Sequence, residues 1–134
     1  MKPLSTRTHG ILDYVTGGSL LAMPHLFRWG REDTMFLSAM AAGKLVTSAL
    51  TRYELGLFKV IPMTIHLAMD AGRTLLFLGW CLRTSRADVR AAMIGCGLME
   101  LGAALMTGTK TSDEHRPFAH LPIPEAIRSH LPGR

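Results

Sequence analysis

The chain has 134 residues, enough for one helical domain with its own interior, and 48% of them are hydrophobic against 19% charged, so long apolar runs exist only if the charges are crowded between them. A net charge of +5 does not point to nucleic acid, because Arg28, Arg31, Arg83, Arg86 and Arg90 fall between apolar runs instead of forming a basic stripe with interleaved aromatics. The two cysteines, Cys81 and Cys96, stand in no CxxC or Cys/His zinc spacing and read as reduced packing residues.

The N-terminal stretch, Met1 to Arg7, is basic, but the run behind it carries Asp13 and lacks a small-x-small cleavage site, so no removable signal peptide is expected. Four apolar segments follow, at roughly 8–28, 34–52, 59–82 and 90–107. Each is near the ~20 residues that a helix needs to cross ~30 Å of hydrocarbon. Arg28 to Asp33 and Arg83 to Asp88 are short polar connections suited to helical hairpins, with Thr34 and Asp88 as candidate N-caps. The middle connection, Arg52 to Gly56, is equally compact, and Pro62 falls at the start of the third segment, where its missing N–H does least harm. Pro24 is expected to end or bend the first helix, and Trp29, Tyr53 and Trp80 read as interface anchors.

These features predict an all-α fold, a four-helix transmembrane bundle of two tandem hairpins over residues 1–107 (about 8–52 and 59–107), with a polar, proline-containing tail over 108–134. A short amphipathic turn is expected at 124–131 of that tail. A soluble bundle is the alternative, since every apolar segment carries at least one ionisable residue. Against it, Met35 to Leu50 and Ala91 to Met106 are apolar or small on every side but for one charge each, which is unlike a water-facing helix. Small residues four apart, Gly18 with Ala22, Ala39 with Gly43 and Ala91 with Gly95, suit close helix contacts in lipid.

The first and third segments share a pattern: His9 and Asp13 in one, His66 and Asp70 in the other, each pair in His-x-x-x-Asp spacing. Later pieces repeat as well, Ser19-Leu20-Leu21 with Thr74-Leu75-Leu76, and Ser48-Ala49-Leu50-Thr51 with Ala104-Leu105-Met106-Thr107. A helix pair has been duplicated. With Met23-Pro24-His25 keeping a proline in the first copy and Leu78-Gly79-Trp80 a tryptophan in the second, residues 8 to 107 resemble the SPW-repeat family of small bacterial membrane proteins. Each repeat of that family is a two-helix unit with a Ser-Pro-Trp motif in its first helix. The resemblance implies a helical-hairpin topology and a place in the bacterial cytoplasmic membrane, and it brings no catalytic residues with it.

A charge at mid-bilayer costs ~2.5–3.5 kcal/mol on insertion scales, so charges inside spans must face the bundle interior and find partners. Counting ~1.5 Å per residue places Arg73 and Glu100 at one depth, where they are expected to pair, and brings Lys44 within reach of Asp13 or Glu100. His66, Asp70 and Arg73 lie along one side of the third helix. Asp13, Asp70 and Glu100 against Lys44 and Arg73 leave one excess negative charge when both histidines are neutral, which a proton or cation would balance.

Two readings follow. In the first, this buried charge network is a packing device, and the chain is a structural or partner-binding membrane protein whose surroundings are the lipid bilayer and a second copy or another membrane protein. In the second, His9, Asp13, His66 and Asp70 bind a divalent metal ion, or the bundle handles ions or protons, since two imidazoles and two carboxylates at i,i+4 spacing suit zinc or another first-row ion. A haem between His9 and His66 is disfavoured, because an aspartate stands one turn from each. No P-loop, Gly-x-Gly-x-x-Gly or Gly-x-Ser-x-Gly motif is present, and Ser19 behind Gly17-Gly18 follows no strand, so no catalytic residue is assigned. Arg116, Arg128 and Arg134 of the tail favour cytoplasmic termini.

Overall fold

The computed structural model describes residues 3–109; the tail turn expected at 124–131 lies outside them. Four helices follow one another, α1 (Thr6–Leu26), α2 (Arg31–Leu50), α3 (Met63–Cys81) and α4 (Ala87–Met106). At 19 to 21 residues each they are about 30 Å long. The described chain is all-helical, with two isolated bridges and no strand. Only α4 is long and apolar enough to cross a membrane on composition alone, where four such spans were expected.

Helix α1 packs along α2 and α3 along α4, while α2 and α3 meet more lightly. The two hairpins clasp reciprocally. Leu4, just before α1, donates its N–H to the Met106 carbonyl at the end of α4, and Arg52, just after α2, donates to Ile61, just before α3. Ser5 caps α1 by accepting from the Thr8 N–H at 3.1 Å. The other helices begin after Gly30, Pro62 and Arg86, so Thr34 and Asp88 are not caps. Thr34 instead donates to the Trp29 carbonyl, and Asp88 accepts from the Trp29 indole at 2.8 Å and from Arg86 at 2.7 Å.

The aromatic anchors also differ from expectation. Trp29 and Tyr53 are buried and Trp80 is half-buried, because each has work inside. The Trp80 indole donates to Asp33 at 2.8 Å, matching the Trp29–Asp88 bond of the opposite hairpin, and its ring stacks on Phe36 with centroids 4.2 Å apart. These contacts close the end of the molecule that holds the 27–30 and 82–86 turns. Next to them sits the apolar core of Leu20, Leu37, Ala41, Phe77, Val89 and Met93.

The small-residue pairs are a further correction. Gly18, Ala22, Ala39, Gly43, Ala91 and Gly95 all lie on exposed faces, and a Cβ added at Gly18, Gly43 or Gly95 would meet nothing. Close approach happens elsewhere: a Cβ on Gly10 would overlap the Tyr53 ring, and one on Gly17 would touch Leu45 at 2.8 Å. Ala39 and Gly43, with Met40, Met69 and Gly72, line a groove of about 410 Å³ between α2 and α3, with Arg73 on its wall.

Beside the apolar core, large apolar side chains are exposed while several charges are buried. Val15 (61%), Leu75 (70%) and Leu98 (65%) are exposed on the outside, whereas Lys44 (1%) and Asp70 (0%) are buried inside.

Candidate functional site

The half of the interior nearer the Leu4 and Thr107 end is polar. Helix α1 brings His9 and Asp13 inward one turn apart, and α3 does the same with His66 and Asp70. Because the hairpins are juxtaposed, the two pairs face each other, with the imidazole centroids 5.4 Å apart and edge-on. His9 Nε2 lies 3.1 Å from Asp70 Oδ2 and 3.5 Å from Asp13 Oδ1. His66 Nε2 lies 2.9 Å from Asp13 Oδ2 and 3.3 Å from Asp70 Oδ2. One donor atom from each of the four residues falls within 4.8 Å of all the others, and all four residues are buried.

The cations stand on the far side of the carboxylates. Lys44 Nζ reaches Asp13 Oδ1 at 2.8 Å, Asp70 Oδ1 at 3.5 Å and Glu100 Oε1 at 3.1 Å. Arg73 holds Asp70 Oδ1 at 2.8 Å, and its Nε comes within 3.4 Å of Glu100 Oε2. The expected Arg73–Glu100 and Lys44–Asp13–Glu100 proximities are thus present. Oδ1 of each aspartate faces Lys44 and Oδ2 faces an imidazole, with Asp13 Oδ1 also 3.5 Å from His9 Nε2. Ser48 adds a hydrogen bond to Asp13 Oδ2 at 3.1 Å. Buried ions cost several kcal/mol each unless paired, and here every one of them touches an opposite charge.

Two residues that the sequence reading did not single out for the site orient the histidines. His66 Nδ1 is 2.7 Å from Thr51 Oγ1, and His9 Nδ1 is 2.8 Å from Thr107 Oγ1. Each hydroxyl sends its own proton to the carbonyl four residues back, Thr51 to Thr47 and Thr107 to Ala103, both at 2.6 Å. A hydroxyl has one proton, so each threonine must accept from the imidazole. Both histidines therefore carry a proton on Nδ1 and turn Nε2 towards the carboxylates. The signal was in the repeat, whose two copies end on Thr51 and Thr107, but their partners lie across the hairpins and cannot be read from spacing.

Tyr53 covers this end of the cluster, its ring lying against Gly10 and 6.1 Å from that of His66. Burial, and then the nearby Asp13 charge, push its phenol well above the usual range. Ser19 is exposed on α1 and has no part in the cluster. Cys81 and Cys96 are free thiols outside it.

No family model matches the chain, and neither does any curated protein or solved structure.

Proposed function

We propose that the chain is a small integral membrane protein whose two hairpins cross the bilayer side by side, joined through their charged interior. Exposed large apolar side chains around a buried charge cluster carry this reading. Large apolar side chains are exposed on all four helices, among them Val15, Val46, Leu75 and Leu98, while the mid-helix charges Asp13, Lys44, Asp70, Arg73 and Glu100 are buried. Mean hydropathy counts those buried charges as though they faced the surroundings. In water such an exterior would leave a large apolar surface uncovered. In lipid it is the favourable one, and the interior charges are then obliged to pair as they do. Helices of about 30 Å match the hydrocarbon thickness. The resemblance of residues 8–107 to SPW-repeat proteins supports the same topology.

The reading gives the chain a structural or partner-binding role in the membrane, with the polar belt fixing how the hairpins meet and the outer face meeting lipid, a second copy or another membrane protein. Cation handling is the second reading, favoured by the interior charge: three carboxylates against Lys44 and Arg73 leave −1 with neutral histidines. Cell fractionation tests the first. The chain is expected to sediment with membranes, to resist alkaline carbonate and to be released by mild detergent. Recovery in the high-speed supernatant without detergent would overturn it.

A further inference from the structure

We propose that His9 Nε2, His66 Nε2, Asp13 Oδ2 and Asp70 Oδ2 form a binding site for one first-row divalent cation, with zinc the best match to the donor set. The site lies wholly within the helices and does not require the bilayer, so it stands or falls separately from the membrane reading.

The geometry begins with the threonines. Since Thr51 and Thr107 take the Nδ1 protons, a neutral imidazole at either position leaves an unprotonated Nε2 about 3 Å from carboxylate oxygens. The electron-rich nitrogen and the carboxylate charge repel unless something positive lies between. A proton on each Nε2 is one solution, but it serves His66 poorly. His66 Nε2 is fully buried, and neither Asp13 nor Asp70 lies along its hydrogen-bonding direction, so it has no hydrogen-bond partner. A proton there would be an unaligned donor in an interior shielded from water.

A metal ion removes the difficulty by taking both lone pairs and both Oδ2 atoms at one centre. Around a tetrahedral ion with ligands at ~2.0–2.1 Å, donor atoms stand roughly 3.3 Å apart. Three of the imidazole–carboxylate separations among these donors, 2.9, 3.1 and 3.3 Å, lie at or just below that figure, and one donor atom from each of the four residues falls within 4.8 Å of the others, so a modest contraction closes the site. The surroundings match the outer shell of such sites. Each imidazole donates its other N–H to an oxygen, as metal-ligating histidines do, and each carboxylate is held by its remaining oxygen, Asp13 by Lys44 and Asp70 by Lys44 and Arg73. Two nitrogens and two oxygens, with no thiolate among them, suit zinc and exclude a soft-metal site.

The test uses the full chain in mild detergent, stripped with a chelator and titrated with Co²⁺, which reports tetrahedral coordination by visible absorption, followed by displacement with Zn²⁺. One equivalent of Co²⁺ is expected, with bands that zinc abolishes. His66→Gln should remove the bands, while His25→Gln, at an exposed position, should leave them. Thr51→Val keeps every proposed ligand and is expected to weaken affinity about 10- to 100-fold with helicity unchanged, the effect of losing an outer-shell partner. It decides the matter if His66→Gln fails to fold. A folded wild-type chain that takes up neither ion stoichiometrically would overturn the proposal, and so would binding that Thr51→Val and His66→Gln leave unchanged.

Discussion

Thr51 and His66 are joined by a hydrogen bond of 2.7 Å in which the imidazole donates, since the threonine proton goes to the Thr47 carbonyl. The bond links the end of α2 to the first turn of α3, and Thr107 with His9 repeats it between α4 and α1. Thr51→Val leaves a buried Nδ1–H without an acceptor. The expected cost is about 1–3 kcal/mol, read from unfolding in mixed micelles. In a double-mutant cycle with His66→Ala the two losses should be far from additive; additive losses would mean that the bond contributes nothing.

Lys44 is the hub of the buried charges, touching Asp13, Asp70 and Glu100. Lys44→Met keeps most of the side-chain volume but strands three carboxylates with Arg73 as the remaining permanent cation of the cluster. Loss of one partner from a buried network costs about 3–5 kcal/mol. Denaturant titration in detergent should show a loss of that size, and a change below about 0.5 kcal/mol, the level of an ordinary surface substitution, would show that the network does not hold the hairpins.

Two glycines should respond in opposite ways. A methyl group at Gly10 collides with the ring of Tyr53, whereas one at Gly43 meets only open groove. Gly10→Ala is expected to destabilise by about 1–3 kcal/mol through overpacking. Gly43→Ala should be neutral or stabilise by up to ~1 kcal/mol, because alanine is the better helix former. Thermal unfolding of the two variants side by side reads the contrast.

At the opposite end, each tryptophan donates to an aspartate of the other hairpin, Trp29 to Asp88 and Trp80 to Asp33. Trp29→Phe keeps most of the ring and removes the donor. The variant should unfold at a measurably lower temperature, and Asp88→Asn should lower it less in the Trp29→Phe background than in the wild type. Full additivity would show that the two side chains act independently.

The parts of this arrangement legible in the sequence are those set by periodicity and depth. Four helices in two hairpins follow from the apolar runs, and the i,i+4 spacing of His9 with Asp13 and His66 with Asp70 places each pair on one helix face. Counting residues brings Arg73 level with Glu100, now 3.4 Å apart. What spacing does not contain is the direction a face points. Ala39 and Gly43 mark one stripe of α2, but nothing local says that it borders a groove and not a neighbouring helix. Trp29 and Tyr53 have the composition of surface anchors and turn inward because their partners, Asp88 and Gly10, come from distant segments. The threonine–histidine bonds escape notice for the same reason, as each spans two hairpins.

Whether the outer face meets lipid is settled most directly at Val15, Leu75 and Leu98, which are exposed near the middle of α1, α3 and α4. Nitroxide labels on Val15→Cys, Leu75→Cys and Leu98→Cys, in liposomes and with Cys81 and Cys96 replaced by serine, report collisions with dissolved oxygen and with a water-soluble nickel complex. Oxygen is expected to reach all three labels and the nickel complex none of them. Ready access by nickel at these positions would mean that water, not hydrocarbon, surrounds the helices.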